Sequence, residues 1–176
     1  MLLGESFGGA LSLSTAIAHP ELVDGLVLLN SFPWLHKRWQ LSIAPWLLRL
    51  VPWAAMPFFR RITESHVDSA HTDTADLVEF HERSRHIGQL GYRRRIEILR
   101  TYDVREQLAE MKVPTLLLAG DADRLLPATR WARFMHERMP ISEMHTLEGH
   151  GHVRLIAHDL DINALVAPWW DSVVAT

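Results

Sequence analysis

The stretch Leu2-Leu3-Gly4-Glu5-Ser6-Phe7-Gly8-Gly9, at the start of the chain, decides the fold. A few apolar residues run into a Gly-x-Ser-x-Gly pattern and then into a helical pattern, which predicts a strand, a sharp turn at Ser6 and a helix. So tight a turn strains the backbone and brings together the residues two positions before and after the serine. Glycine relieves that clash because it has no Cβ, so we expect Gly4 and Gly8 both to be required.

Phe7 begins the predicted helix, so its backbone N–H has no partner within the helix and points, with the helix dipole, toward the Ser6 hydroxyl. It would stabilise an oxyanion that forms beside Ser6, which is then a candidate nucleophile. The pattern alone is not specific, because five-residue matches of this kind arise by chance in roughly one chain in twenty of this length. An ordinary serine in a glycine-rich turn therefore stays open as an alternative until the rest of the chain is considered.

The composition is that of a soluble globular domain. The chain has 176 residues, of which 48% are hydrophobic and 22% charged, enough for one core with an insertion. A net charge of −3 does not favour a nucleic-acid partner, and we interpret Arg93-Arg94-Arg95 as the solvated face of a helix. Because the chain has no cysteine, disulfides, thiol catalysis and a Cys-based zinc site are excluded.

Neither a membrane span nor a metal site is predicted. The longest apolar stretch, residues 43–59, contains Arg49 and three prolines. The first twenty residues lack the basic start of a signal peptide, so we expect a cytoplasmic protein. Four histidines of the middle region lie at spacings of five, ten and five residues, which do not repeat at i, i+4, so we expect no metal and no cofactor: His66, His71, His81 and His86.

Helical and strand patterns alternate at both ends of the chain. Residues 7–19 are predicted to form a helix and 25–30 a strand buried on both faces; a strand at 113–120, a helix at 128–138, a strand at 142–147 and a last helical segment follow later. Strand, helix and strand at this spacing predict an α/β fold with a parallel sheet flanked by helices. Residues 32–111 carry only helical patterns and are predicted to be a helical insertion.

Polar side chains follow the predicted strands at the edge where parallel sheets place their sites. Asp121 and Asp123 follow the strand at 113–120, and His150 and His152 follow the strand at 142–147. Ser6 lies on the same edge by the same argument. One serine, one carboxylate and one imidazole therefore converge in the chain order Ser, Asp, His, while the spacing leaves either aspartate and either histidine open.

In three motifs the chain resembles the C-terminal part of an α/β-hydrolase. These motifs are the nucleophile elbow from Gly4 to Gly8, the Gly120-x-x-Asp123 stretch closed by Pro127, and Gly151-His152 after the last strand. The resemblance implies core segments at 1–31 and 112–176, with a cap domain at 32–111 that covers the active site. It also implies roles for individual residues: Ser6 as nucleophile, His152 as general base and then acid, Asp123 as the group that orients His152, and the Phe7 N–H as an oxyanion-hole donor. It favours Asp123 over Asp121 and His152 over His150.

By this resemblance the chain is expected to be a serine hydrolase that cleaves an ester or related acyl bond through an acyl-enzyme. An acyltransferase and a carbon–carbon bond hydrolase use similar residues, and a non-catalytic remnant that serves as a binding scaffold is the alternative from another class. The expected partner is a small hydrophobic or acyl-containing substrate. Tryptophans of the cap could line its pocket or simply pack the cap onto the body, and the candidates are Trp34, Trp46 and Trp53.

The sequence departs from the family pattern at its beginning. The family has further strands before the elbow, together with a loop that supplies a second oxyanion donor, and the sequence shows neither ahead of Met1. We therefore expect a partial sheet without the N-terminal strands and low turnover from the chain as given, since loss of one oxyanion donor typically lowers turnover about 10²- to 10³-fold.

Overall fold

Four strands and four α-helices alternate along the parts of the chain that the structure, a computed structural model, describes: residues 1–35, 78, 79, 82, 88–152, 155 and 159–175. The strands are β1 (Leu2–Glu5), β2 (Leu26–Leu29), β3 (Thr115–Gly120) and β4 (Ser142–Leu147). The helices are α1 (Phe7–Ala18), α2 (Gln89–Thr101), α3 (Ala128–His136) and α4 (Ile162–Val174), with short 3₁₀ turns at Pro20–Leu22 and Gln107–Glu110. The four strands form one sheet in the order β1-β2-β3-β4.

All neighbouring strands of the sheet are parallel, which confirms the predicted α/β class. Their pairing aligns the last residues of the strands, so that Glu5 lies beside Leu29 and Gly120 beside Leu147. The turns that follow the four strands therefore open at one edge of the sheet. The predicted strand at 25–30 is shorter in the structure, because Gly25 and Asn30 lie just outside β2.

The continuous apolar runs of β2 and β3 are explained by burial on both faces of the sheet. Successive side chains of a strand point to opposite faces, so neighbours in sequence enter different cores. One core lies against α1 and α3 and takes Leu26, Leu28, Leu117 and Ala119. The other lies against α4 and takes Val27, Leu29, Leu116 and Leu118. The central strands are thereby fixed by packing from both sides.

The turn between β1 and α1 is as sharp as predicted, but its glycine requirement differs. Ser6 has a positive φ of 53°, a conformation that residues with a Cβ rarely adopt. A Cβ added to Gly4 would lie 2.6 Å from the backbone carbonyl carbon of Gly8, and one added to Gly9 would lie 2.5 Å from the Ser31 Oγ. A Cβ added to Gly8 would meet no described atom within 4 Å. Among the described residues, the expectation for Gly8 is therefore wrong: its backbone lies against the Cβ position of Gly4, while no described atom lies near its own Cβ position.

Helix α2 does not present all three of its consecutive arginines to solvent. Arg94 is exposed and pairs with Glu97 at 2.8 Å. The Arg95 guanidinium, by contrast, lies 4.9 Å from the centre of the Phe7 ring, a cation–π contact with the first residue of α1. The interpretation of this triplet as a solvated face is therefore wrong for Arg95, which packs α2 against the beginning of α1.

An aromatic cluster joins the end of α2 to the body. The Phe32 ring meets the Tyr102 ring edge-on at 5.8 Å and the Trp131 ring at 5.4 Å, and all three residues are buried. Such pairs contribute about 0.5 to 1.5 kcal/mol beyond the area that they bury. Burial raises the pKa of the Tyr102 hydroxyl, because the phenolate would lose its hydration.

Among the described residues, no helix has the length and apolar character needed to cross a membrane. The four histidines considered for a metal site lie outside the described residues, as does most of the predicted cap.

The contacts at the turn predict opposite results for two alanine substitutions. Gly4→Ala should lower the free energy of unfolding by about 3 kcal/mol, because the new methyl group would collide with backbone that cannot withdraw. Gly8 lies near the start of α1, where alanine has the higher helix propensity. Gly8→Ala should therefore change the free energy of unfolding by no more than about 1 kcal/mol. Urea denaturation of both variants measures the difference, and equal losses would contradict the assignment of the close contact to Gly4.

Stability at high pH should depend on Tyr102. Its pKa is raised in the folded state, so above the unfolded value of about 10 the unfolded chain releases a proton that the folded chain retains. Above this pH the free energy of unfolding should fall more steeply than it does in the Tyr102→Phe variant, by up to about 1.4 kcal/mol more for each pH unit. Denaturation of both proteins at about pH 8 and pH 11 tests this, and parallel losses would contradict it.

Candidate active site

Ser6 is held by the end of β2 as well as by its own turn. Its backbone N–H donates to the Leu29 carbonyl at 2.9 Å, and its carbonyl accepts from the Ala10 N–H at 3.1 Å. The buried Ser31 hydroxyl donates to the same carbonyl at 3.2 Å. Ser31 was missed by the sequence analysis, and the only signal for it was that this polar residue directly follows the strand predicted at 25–30.

His152 stands between Ser6 and Asp123. Its Nε2 lies 2.8 Å from the Ser6 Oγ, and its Nδ1 lies 2.7 Å from the Asp123 Oδ2. The Ser6 and His152 positions are 146 residues apart in sequence. The structure thus brings together the three residues that the sequence analysis selected as catalytic candidates.

The partners of Asp123 fix the orientation of this chain of contacts. Asp123 Oδ1 accepts from the backbone N–H groups of Leu125 and Leu126, each at 2.9 Å, which leaves Oδ2 for His152. An ionised carboxylate only accepts, so the His152 Nδ1–H donates to Oδ2, and Nε2 accepts from the Ser6 hydroxyl. The side chains of His152 and Asp123 are 5% and 1% exposed, so water screens their interaction little.

The neighbouring candidates, Asp121 and His150, make other contacts. Asp121 Oδ1 accepts from the Gly149 N–H at 2.7 Å and so joins the two loops. The His150 Nδ1–H donates to the Glu148 carbonyl at 2.7 Å. The His150 Nε2 lies 3.8 Å from the Asp159 carboxylate. Both residues therefore organise the loops around the site, while the contact with Ser6 is made by His152.

Phe7 occupies the position expected for an oxyanion donor, because it is the first residue of α1 and follows Ser6 directly. A first-turn N–H has no acceptor within its own helix, and the N-terminal end of the helix dipole is positive. The N–H of Phe7 therefore belongs to the residue that directly follows the nucleophile candidate, in the first turn of α1.

Trp34 lies in a packed aromatic group. Its ring centre is 4.7 Å from the Phe134 ring and 6.1 Å from the Trp131 ring, both on α3. The Arg105 guanidinium lies 4.8 Å from the same ring. These contacts favour the packing interpretation of Trp34. Trp46 and Trp53 lie outside the described residues.

Within the described ranges, no group of three or more His, Cys, Asp or Glu side chains is arranged to hold a metal ion.

Known proteins resemble the chain in sequence and in fold. It is 29% identical to the pimeloyl-[acyl-carrier protein] methyl ester esterase of Yersinia enterocolitica, over 93% of this chain and 66% of that protein. It is 30% identical to a provisionally named carbamate hydrolase, RutD, of Pseudomonas savastanoi, over 90% of this chain and 62% of that protein. The chain thus spans less than two thirds of the length of these curated relatives.

A solved esterase from Exiguobacterium antarcticum has the same fold, with a TM-score of 0.77 at 21% identity; the match covers all of this chain and 66% of the esterase. In sequence, residues 1–159 match the family described as serine aminopeptidase, S33. That match takes in β1 to β4 together with Ser6, Asp123 and His152. The chain therefore belongs to the serine aminopeptidase S33 family, within the α/β-hydrolases.

Proposed function

We propose that this chain is a serine hydrolase that cleaves an ester or related acyl bond through an acyl-enzyme on Ser6. The observation that carries the proposal is the line of contacts from the Ser6 Oγ through the His152 imidazole to the Asp123 carboxylate, at 2.8 Å and 2.7 Å. A serine hydroxyl is a weak nucleophile unless a base removes its proton, and an imidazole held by a carboxylate is such a base.

The proposed reaction begins with attack of the Ser6 Oγ on the substrate carbonyl carbon while its proton passes to the His152 Nε2. The imidazolium is stabilised by Asp123, whose other oxygen is held by two backbone donors. The imidazolium then gives its proton to the leaving group, which departs and leaves the acyl group on Ser6. Water activated by the same imidazole releases the acid and restores the hydroxyl.

Phe7 is the proposed donor to the oxyanion. Its N–H sits at the positive end of α1 and follows the nucleophile directly, so it would strengthen its interaction as charge develops on the carbonyl oxygen. The residues at 32–111 are the proposed cap, with Trp46 and Trp53 as candidates for an apolar pocket wall.

The names of the relatives support the reaction class. One is a methyl ester esterase, another a provisionally named carbamate hydrolase, and the family is described by an aminopeptidase. These activities share cleavage between a carbonyl carbon and a heteroatom, which suits a nucleophile, a proton carrier and an oxyanion donor. We infer a small acyl-containing substrate from this shared chemistry.

Ser6→Ala should abolish covalent labelling by a fluorophosphonate and the hydrolysis of p-nitrophenyl acetate. The free energy of unfolding should change by less than about 1 kcal/mol, because only a hydroxyl is removed. Labelling followed by mass spectrometry, with denaturation of both proteins, makes the measurement. Labelling retained without the hydroxyl would remove Ser6 from the mechanism, and an unmodified chain that never labels would favour the binding-scaffold alternative.

Asp123→Asn and His152→Gln should each lower turnover by about 10³-fold or more. In Asp123→Asn the two backbone donors would keep the amide oxygen, so the NH₂ group would face His152 and force the proton onto Nε2, where it blocks proton transfer from Ser6.

Asp121→Asn and His150→Gln are the matched controls and should each have much smaller effects. Asparagine at 121 keeps an acceptor for the Gly149 N–H. Steady-state ester hydrolysis ranks the four variants, and a reversed order would move the proposed triad to Asp121 and His150.

A further inference from the structure

Asn30, the first residue after β2, is buried at 1% exposure and has a positive φ of 42°. Its backbone N–H continues the ladder by donating to the Leu118 carbonyl at 2.9 Å. Its side chain points to the loops that carry Asp123 and His152. A buried polar side chain in a strained backbone conformation is unusual unless its contacts compensate.

The carboxamide of Asn30 makes three hydrogen bonds. Its Oδ1 accepts from the Gly120 N–H at 2.8 Å. Its Nδ2 donates to the Gly151 carbonyl at 2.9 Å and to the His152 carbonyl at 2.7 Å. Because the partners are one backbone donor and two backbone acceptors, only one orientation of the amide satisfies them all.

These bonds join the two halves of the site. Gly120 ends β3 and begins the loop to Asp123, whereas Gly151 and His152 belong to the loop after β4. Among the described residues, the other hydrogen bonds from the Asp123 loop to the backbone of the loop after β4, such as the Ala122 N–H to the His150 carbonyl at 3.0 Å, reach residues before His152 in sequence. Asn30 contacts the backbone of His152 itself.

Gly120 makes this approach possible. A Cβ at Gly120 would collide with the His150 carbonyl oxygen and lie 2.7 Å from that of Gly151. The loops therefore close against each other at a position without a side chain, with the Asn30 amide between their backbones.

We propose that Asn30 is the positioning residue for His152: its carboxamide holds the backbone of His152 relative to the Asp123 loop, so that the imidazole spans Ser6 and Asp123. Asn30 touches none of the reacting atoms and acts through His152. Its kinetic consequence rests on the proposed serine hydrolase function, whereas its effect on the His152–Asp123 bond does not.

The test compares three variants of the full 176-residue chain. Asn30→Ala removes all three bonds. Asn30→Asp is nearly isosteric and keeps an acceptor for Gly120 but removes both donors to the His152 loop. Thr115→Val is the matched control, because it removes a buried hydrogen bond from the Thr115 Oγ1 to the Val113 carbonyl at the opposite end of β3.

Both Asn30 variants should have a kcat about 10²-fold lower with KM little changed, since small misplacement of a catalytic group affects the chemical step. Fluorophosphonate labelling should slow in parallel. A low-field NMR resonance of the His152 Nδ1 proton should be present in the unmodified chain and in Thr115→Val, and it should be lost from both Asn30 variants under conditions where they remain folded. Asn30 variants that retain this resonance and the labelling rate of Thr115→Val would overturn the proposal.

A measurement on the unmodified chain covers the case in which the Asn30 variants do not fold. Both Asn30 Nδ2 protons donate to buried carbonyls, so they should exchange with solvent slowly, and rapid exchange would overturn the proposal. If the unmodified chain neither labels nor hydrolyses esters, the hydrolase function fails, while the Nδ1 resonance and the amide exchange still decide the role of Asn30.

Discussion

The backbone conformation of Ser6 is the constraint on which the rest of the site depends. A residue with a positive φ is stable only where its surroundings fix it. Here those surroundings are the Leu29 carbonyl, the Ser31 hydroxyl and the close passage of Gly4 beneath Gly8. The nucleophile candidate, which is half-buried, is thus held at the edge of the sheet because β1, β2 and α1 pack too tightly for the turn to relax.

The same edge explains why three distant residues meet. Parallel strands in register end together, so the turn after β1 and the loops after β3 and β4 are neighbours without any long excursion of the chain. Within that frame, polar contacts set the final geometry. Asp123 is oriented by two backbone donors, and the His152 loop is tied to the end of β2 by the Asn30 amide. The Asn30 contact is buried, and burial strengthens it because little water competes for it.

Much of this arrangement could be predicted from the sequence. Apolar runs marked the strands, and polar residues directly after them marked the edge at which Ser6, Asp123 and His152 meet. The α/β class followed from the alternation of patterns and is confirmed by the sheet. These features are local, so a single stretch of sequence reveals each of them.

The features that could not be predicted depend on directions in space. The described contacts require glycine at Gly4 and Gly9 and do not require it at Gly8, because the path of α1 decides where each Cβ would point. Asn30 and Ser31 look like ordinary turn residues, and their partners lie far away along the chain. Arg95 meets Phe7 only because α2 returns to the elbow.

The pairing of β2 with β3 also makes the architecture of the sheet insensitive to the length of the chain between these two strands. Leu29 lies beside Leu118, although the whole segment from Asn30 to Pro114 lies between them in sequence. Loop-closure entropy grows only with the logarithm of length, so doubling such a segment would cost the sheet about 0.6 kcal/mol. Evolution can therefore rebuild this intervening segment extensively, while the two strands, and the residues at their ends, stay in register.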